Sequence, residues 1–272
     1  MKYIVAVSGG VDSVALLHML VKTSKHELIV AHFDHGIRDD SADDAQFVSE
    51  LAKKHSLQYF VKREELGKEA SEALARERRY AFLRELAQVH DARIVTAHHL
   101  DDFVETVAIN LKRGTGWRGL AVFDSDVLRP LVDTSKQQLV NYAKDHHLEW
   151  REDSTNASDV YLRNRIRRKT ADISYDTKRQ LRALHVQQKH LKSEIKKETL
   201  QLIGKGPDYS RYLLAYIPQS VALECLRFIT GGMLTRPQLM RCLMAIKTAS
   251  AGSVYEAGSG VKLRFSTRHF SL

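Results

Sequence analysis

Three groups of residues in this 272-residue chain combine types and spacings suited to chemistry. The first, Ser8-Gly9-Gly10-Val11-Asp12-Ser13, follows the apolar run 3–7 and leads into Val14-Ala15-Leu16-Leu17-His18-Met19-Leu20. A strand that enters a helix through such a turn aims the first helical amides, which lack intrahelical partners, at whatever occupies it. The helix dipole adds partial positive charge, so the turn is suited to an anion. Gly9 and Gly10 let the backbone approach a phosphate closely. Val11 sits between them and the helix, Ser8 and Ser13 offer hydroxyls, and Asp12 offers a carboxylate able to hold Mg²⁺ against phosphates. No Gly-x-x-x-x-Gly-Lys-Ser/Thr run occurs, which excludes the other common phosphate loop. An ordinary strand-turn-helix corner can use the same residues, so the rest of the chain must decide.

The second group is Thr96-Ala97-His98-His99-Leu100-Asp101-Asp102-Phe103-Val104-Glu105-Thr106. If a helix over 100–112 extends back to His98, then His98, Asp101, Asp102 and Glu105 share about 100° of arc, opposite Leu100, Phe103 and Val104. The macrodipole accounts for one or two of the acids. As a ligand set the group is rich in oxygen and resembles a Mg²⁺ or ammonium site more than a zinc site. The third group, His32-Phe33-Asp34-His35-Gly36-Ile37-Arg38, ends an apolar run beside the first turn, where an adenosine would lie. Arg76, Arg79 and Tyr80 share one face of a further helix. Lys112 and Arg113 open a glycine-rich basic loop through Leu120, suited to phosphate. Arg163, Arg165, Arg167 and Arg168 head a basic segment suited to nucleic-acid phosphates.

These groups need a scaffold, and the hydrophobic pattern supplies one. Strands are expected at 3–7, 27–33, 58–62 and 93–97, and helices at 12–22, 41–55, 69–89, 100–112 and 135–146. Alternation of this kind implies an α/β fold: a parallel, doubly wound sheet covered on both faces, with ligands beyond the carboxyl ends of its strands. A long polar helix follows to about 203, then helices near 218–230 and 236–248 and a hairpin over 253–265. The expected division is a catalytic domain at 1–172, a linker helix at 173–204 and a smaller, mostly helical domain at 205–272. Residues 1–160 carry 21 Lys+Arg against 26 Asp+Glu, whereas 161–272 carry 21 against 7. That split points to a polyanion larger than a nucleotide. No apolar run is long enough to span a membrane, no leader is expected before the first strand, and Cys225 and Cys242 form no metal or redox motif. A reducing cytoplasmic home is expected.

The string Ser-Gly-Gly-Val-Asp-Ser resembles the PP-loop of the N-type ATP pyrophosphatases. Beside it stand His-x-Asp-His-Gly-x-Arg, Ala-Arg-x-x-Arg-Tyr, Thr-Ala-His-His-x-Asp-Asp-x-x-Glu-Thr, Arg-Gly-x-Gly, Arg129-Pro130-Leu131 and Arg163-Asn164-Arg165-Ile166-Arg167, in that order. Over 3–168 the series resembles the tRNA(Ile)-lysidine synthases, in a short form without the last C-terminal domain. Asp153-Ser154-Thr155-Asn156 departs from the family's Asp-x-Ser-Asn but keeps a hydroxyl. The resemblance implies ATP-dependent attachment of L-lysine to C2 of the wobble cytidine of a tRNA(Ile) with a CAU anticodon, through an adenylated tRNA. ATP and Mg²⁺ would occupy Ser8–Ser13, His32 and Phe33, with Asp12 toward the metal. Asp101, Asp102 and Glu105 would receive lysine, and one of these or Asp34 would take its proton. Arg113 would neutralise developing charge, and Arg76, Arg79, Arg163, Arg165, Arg167 and Arg168, together with the small C-terminal domain at 205–272, would meet tRNA. A homodimer is compatible with the sequence. The alternatives are another PP-loop tRNA-modifying or amidotransfer enzyme, or an RNA-binding nucleotide sensor without chemistry.

Overall fold

The computed structural model describes residues 1–36, 41–67, 70–113, 122–123, 126–152, 162–204 and 206–272, apart from the side chain of Glu72. The chain forms two compact units, 1–188 and 189–272. The first alternates β1 (Lys2–Ala6), α1 (Val11–Thr23), β2 (Glu27–Asp34), α2 (Ser41–Lys54), β3 (Gln58–Arg63), α3 (Glu72–Val89), β4 (Ala92–Val95) and α4 (Leu100–Lys112). It continues through α5 (Lys136–Asp145), α6 (Leu162–Thr170) and the start of α7 (Tyr175–Ile203), which runs on into the second unit.

The four strands pair in parallel in the order β3-β2-β1-β4. Ile4 lies level with Ile29 and Ile94, and Val5 with Val30 and Val95. Because side chains alternate along a strand, the isoleucines pack on one face with Phe82 and Leu83 of α3. The valines pack on the other face with Leu16 of α1, Val48 of α2 and Leu139 of α5. Both faces of the central strands are covered, which is why β1 and β2 read as apolar runs, whereas the edge strand β3 is largely exposed. The chain leaves β1 toward β2 on one side and returns to β4 on the other. The crevice at this reversal lies beyond the carboxyl ends of β1 and β4, next to Ser8 and Thr96.

The second unit holds β5 (Tyr209–Ser210), α8 (Arg211–Tyr216), α9 (Gln219–Ile229), α10 (Arg236–Thr248), β6 (Val254–Gly258), β7 (Val261–Phe265) and β8 (His269–Ser271). The expected hairpin is β6–β7, and it is extended into an antiparallel sheet of order β5-β8-β7-β6. Val261, Leu263 and Phe265 are buried, whereas Lys262 and Arg264 between them face solvent. Cys225 and Cys242 are free and buried in this core. No described helix is long and apolar enough to cross a membrane.

Candidate functional site

The helices around the crevice are capped differently, and the difference makes the site. Side chains of Ser71, His99 and Ser135 cap α3, α4 and α5. Gly10 precedes α1 with no side-chain cap. The first turn closes by Ser13 and Val14 amides donating to the Gly10 carbonyl, which leaves the Val11 and Asp12 amides at the open helix end. Gly9 takes φ +92°, a region that favours glycine, and its carbonyl accepts from the Arg151 amide at 3.0 Å. Ser13 Oγ donates to the Gly10 carbonyl at 2.9 Å and accepts from the Ser8 amide at 3.2 Å, fixing the turn.

Above this turn lies a cavity of about 440 Å³, large enough for a nucleotide. Its walls bring together Ser8, Gly10, Asp12 and Ser13 with His32, Phe33 and Asp34 at the end of β2. Arg76 and Arg79 reach it from α3, His98 and Asp102 from the start of α4, and Arg163 and Arg167 from α6. Residues that the sequence placed in three separate groups thus face one space. Gly9, Val11, Asp101, Glu105, Arg113, Arg165 and Arg168 are not on its walls. Arg113 caps α4 on the exposed side, and Arg165 and Arg168 are also exposed. Arg38, Gly114–Leu120 and Asp153–Asn156 lie outside the described residues.

Polar groups on the wall are oriented. Nδ1 of buried His32 lies 2.8 Å from the Val7 carbonyl, which can only accept, so Nδ1 carries hydrogen. Asp34 is buried; its Oδ1 accepts the Gly36 amide at 2.9 Å, and Arg63 stands 3.5 Å from Oδ2. Ser41 Oγ, at the start of α2, is buried on the cavity wall without a hydrogen-bond partner among the described residues. Such an orphan is costly unless a ligand satisfies it. The Arg76 guanidinium lies 4.8 Å from the centroid of the Tyr80 ring.

The acidic face of α4 differs in one respect from the sequence expectation. The helix begins at Leu100 and His99 is extended, so His98 does not share the helical face. His98 instead hydrogen-bonds Thr96 Oγ1 through Nδ1 at 2.8 Å. Burial pushes its pKa down to about 3, with Arg76 and Arg79 adding to the effect and Asp102 opposing it. The three carboxylates have separate jobs. Asp101 accepts the Lys136 amide at 2.7 Å, capping α5, and the buried Lys178 Nζ at 2.6 Å. Asp102 forms a capping box with His99 and binds Arg163 at 3.2 Å. Glu105, 1% exposed, receives Arg163 at 3.0 Å and Arg167 at 2.7 Å. Burial opposes the charge of Asp101 and Asp102. Lys178 and Lys136 for the first, and His99 and Arg163 for the second, outweigh it and hold both pKa values low.

Asp12 is the carboxylate nearest the open helix end. Both its oxygens lie 2.8 Å from Lys136 Nζ, and His99 stands 3.7 Å away. Burial again works against ionisation, and His99 and Lys136 overcome it. The same pairing raises the pKa of His99 against its own burial. Among the described residues no group of three acidic, histidine or cysteine side chains is placed to cage a metal. A Mg²⁺ ion here would be carried by substrate phosphates and meet Asp12 in place of Lys136, the usual mode for this cation. Lys136 and Arg151, which ties the turn to Asp44 at 3.3 Å, were not singled out by sequence. Both lie more than 100 residues along the chain from their partners, a separation no local pattern encodes.

The chain is 37% identical over 207 residues to a tRNA(Ile)-lysidine synthase of Exiguobacterium sibiricum, covering 74% of this chain and 50% of that protein. It is 36% identical over 179 residues to one of Persephonella marina, covering 61% and 40%. It therefore spans half or less of the length of these relatives. Among solved structures, the U34-tRNA thiolase NcsA of Methanococcus maripaludis superposes with a TM-score of 0.59 at 16% identity, covering 70% of this chain and 71% of that one. That likeness concerns the fold. Residues 1–173 match the PP-loop domain model, well over half of the chain, and the chain belongs to the PP-loop domain family.

Proposed function

We propose that this chain attaches L-lysine to C2 of the wobble cytidine of a tRNA(Ile) with a CAU anticodon, using ATP. The observation that carries the reading is the single cavity shared by the open end of α1, the end of β2, Asp102 and the arginines of α3 and α6. The names of the relatives supply the substrate. ATP binds with its phosphates at Ser8–Ser13 and its adenosine against His32 and Phe33. Asp12, with the phosphates, would hold Mg²⁺, which would supply neutralisation of charge on the phosphate oxygens.

The cytidine C2 oxygen is amide-like and leaves poorly. It first attacks the α-phosphorus, forming an O–P bond as the bond to pyrophosphate breaks. Unpaired helix amides and the cavity arginines offset the charge that develops on pyrophosphate. The lysine ε-amine then attacks C2, the C2–O bond breaks, and AMP leaves. An ε-ammonium of pKa ~10.4 costs about 4.6 kcal/mol to neutralise at pH 7, so a proton acceptor is required. Of the four candidate carboxylates, Asp34 and Asp102 line the cavity. Asp102 is already bound by Arg163 and His99. Asp34, whose nearest cation among the described residues is Arg63 at 3.5 Å against Arg163 at 3.2 Å for Asp102, takes the proton, while Asp102 meets the ammonium. Glu105 positions Arg163 and Arg167, and Asp101 sets the start of α5.

Sulfur transfer is poorly served by these thiols. Both are buried in the second unit, and burial pushes the Cys225 pKa up to about 11.

The two half-reactions separate the roles. Asp34→Asn should still release pyrophosphate with ATP and CAU tRNA, but capture lysine at least ~100-fold more slowly, so adenylated tRNA accumulates. Equal loss of both steps would remove Asp34 as the proton acceptor.

A further inference from the structure

Outside the cavity, the second unit displays an unusual pair of side chains. Tyr212 and Tyr216, one helical turn apart on α8, are 72% and 76% exposed, with ring centroids 4.5 Å apart and planes 36° from parallel. Leu214 between them is buried in the core, so α8 turns its aromatic residues outward. The helix is held rigidly in that pose. The Arg211 guanidinium donates to the carbonyls of Ile246, Ala249 and Ser266 at 2.9, 2.6 and 2.8 Å, stapling the start of α8 to the end of α10 and the β7–β8 turn. The tyrosines form one wall of a concavity of about 830 Å³ whose other walls include Lys247, Arg268 and His269. All three are exposed, and neither Lys247 nor Arg268 carries an ion pair among the described residues. Residues 189–272 contain 13 Lys+Arg against 5 Asp+Glu.

We propose that this face of α8 is a stacking platform for unpaired RNA bases, with Lys247 and Arg268 placed for the adjoining phosphates. The choice of RNA rests on the tRNA substrate proposed above and on the charge of the unit. Two outward aromatic rings beside exposed cations match the recurring design of single-strand sites, in which each base offers a π-face and the backbone meets positive charge. A duplex hides those faces, so the platform selects unpaired nucleotides over paired ones.

The test uses the full chain, without ATP or lysine, and a fluorescein-labelled oligouridylate, alone or paired with its complement. Fluorescence anisotropy should show Tyr212→Ala/Tyr216→Ala raising the single-strand Kd about tenfold or more, as for loss of one stacked base, with little change for the duplex. Tyr212→Phe/Tyr216→Phe, which keeps the rings, should bind as the parent does. Lys247→Ala/Arg268→Ala should flatten the dependence of log K on log salt by about 1.4. All four side chains are exposed, and an unchanged urea midpoint confirms the fold. Unchanged binding by the alanine pair, equal loss on the duplex, or displacement by polyglutamate as effective as by unlabelled oligouridylate would each overturn the platform. Lysine incorporation by the parent, measured separately, keeps the two readings apart. Incorporation with indifferent tyrosine variants refutes the platform alone, and no incorporation with weakened single-strand binding refutes the substrate alone.

Discussion

Glu105 shows how a single residue can belong to a site without touching its contents. Its carboxylate is buried and shared between Arg163 and Arg167, both of which face the cavity. Glu105→Gln keeps the shape and removes the charge. It should destabilise the chain by about 3 kcal/mol in urea titration, the low end for breaking a buried pair. It should also slow both half-reactions, because the arginines lose their anchor. His98 makes a pH prediction. Below its ordinary pKa of 6.5 the unfolded chain takes a proton that the folded chain refuses until about pH 3. His98 therefore withdraws stability as pH falls through that window and contributes nothing to pH dependence above it. Its Cε1–H resonance should stay constant between about pH 8 and about pH 5; movement in that range would contradict the buried neutral ring. Sequence spacing made Asp101, Asp102 and Glu105 visible as a group, because helical periodicity is local. The pairings were not: the sequence points Arg163 and Arg167 toward tRNA and does not single out Lys178. Lys178, Arg163 and Arg167 come from elements 58 to 77 residues away.

At the scale of elements, the turn before α1 is the clearest case of backbone built for a ligand. Gly9 and Gly10 differ in a way that substitution can read. At Gly9 an added Cβ has ordinary room, 3.5 Å from Phe47, but φ is +92°. Gly9→Ala should therefore cost about 1–3 kcal/mol through strain. Gly10 has φ −72°, and its Cβ would meet Ser8 Oγ at 3.7 Å, so Gly10→Ala should leave the thermal midpoint nearly unchanged. Nucleotide binding by Gly10→Ala then reports directly on how closely phosphate approaches the turn. The order of elements through α5 was legible, since the central strands, covered on both faces, announce themselves as apolar runs. By contrast α6 (Leu162–Thr170) was not expected, because a segment this rich in cations has one buried residue, Ile166, and shows no apolar stripe. The bounds of α4 were legible, at 100–112; whether its face reached back to His98 was not. A helix continuing through His98 fits the periodicity equally well, and His99 stops it by serving as an N-cap, a role more often filled by Ser, Thr, Asp or Asn. Likewise β5 and β8 are 2 and 3 residues long, too short for an alternating pattern to register.

Across the whole molecule, charge is the feature that sequence and structure divide differently. Counting residues places a large positive excess after position 160. The structure splits the first of these cations by face. Arg163 and Arg167 are engaged by α4 at the cavity, whereas Arg165 and Lys169 are exposed. Arg165→Ala/Lys169→Ala should weaken tRNA binding and reduce its salt slope by up to about 1.8, leaving ATP affinity unchanged. An unaltered slope would show that this side of α6 meets no phosphate. Joint use of one cavity by ATP, lysine and a cytidine is tested most directly by supplying all three, with the cytidine in a CAU-anticodon tRNA, and measuring AMP, pyrophosphate and labelled lysine in the tRNA. Equimolar AMP, pyrophosphate and tRNA-bound lysine are expected, with no turnover when the wobble base is uridine. AMP formation without lysine transfer, or equal transfer to a uridine-bearing tRNA, would contradict it.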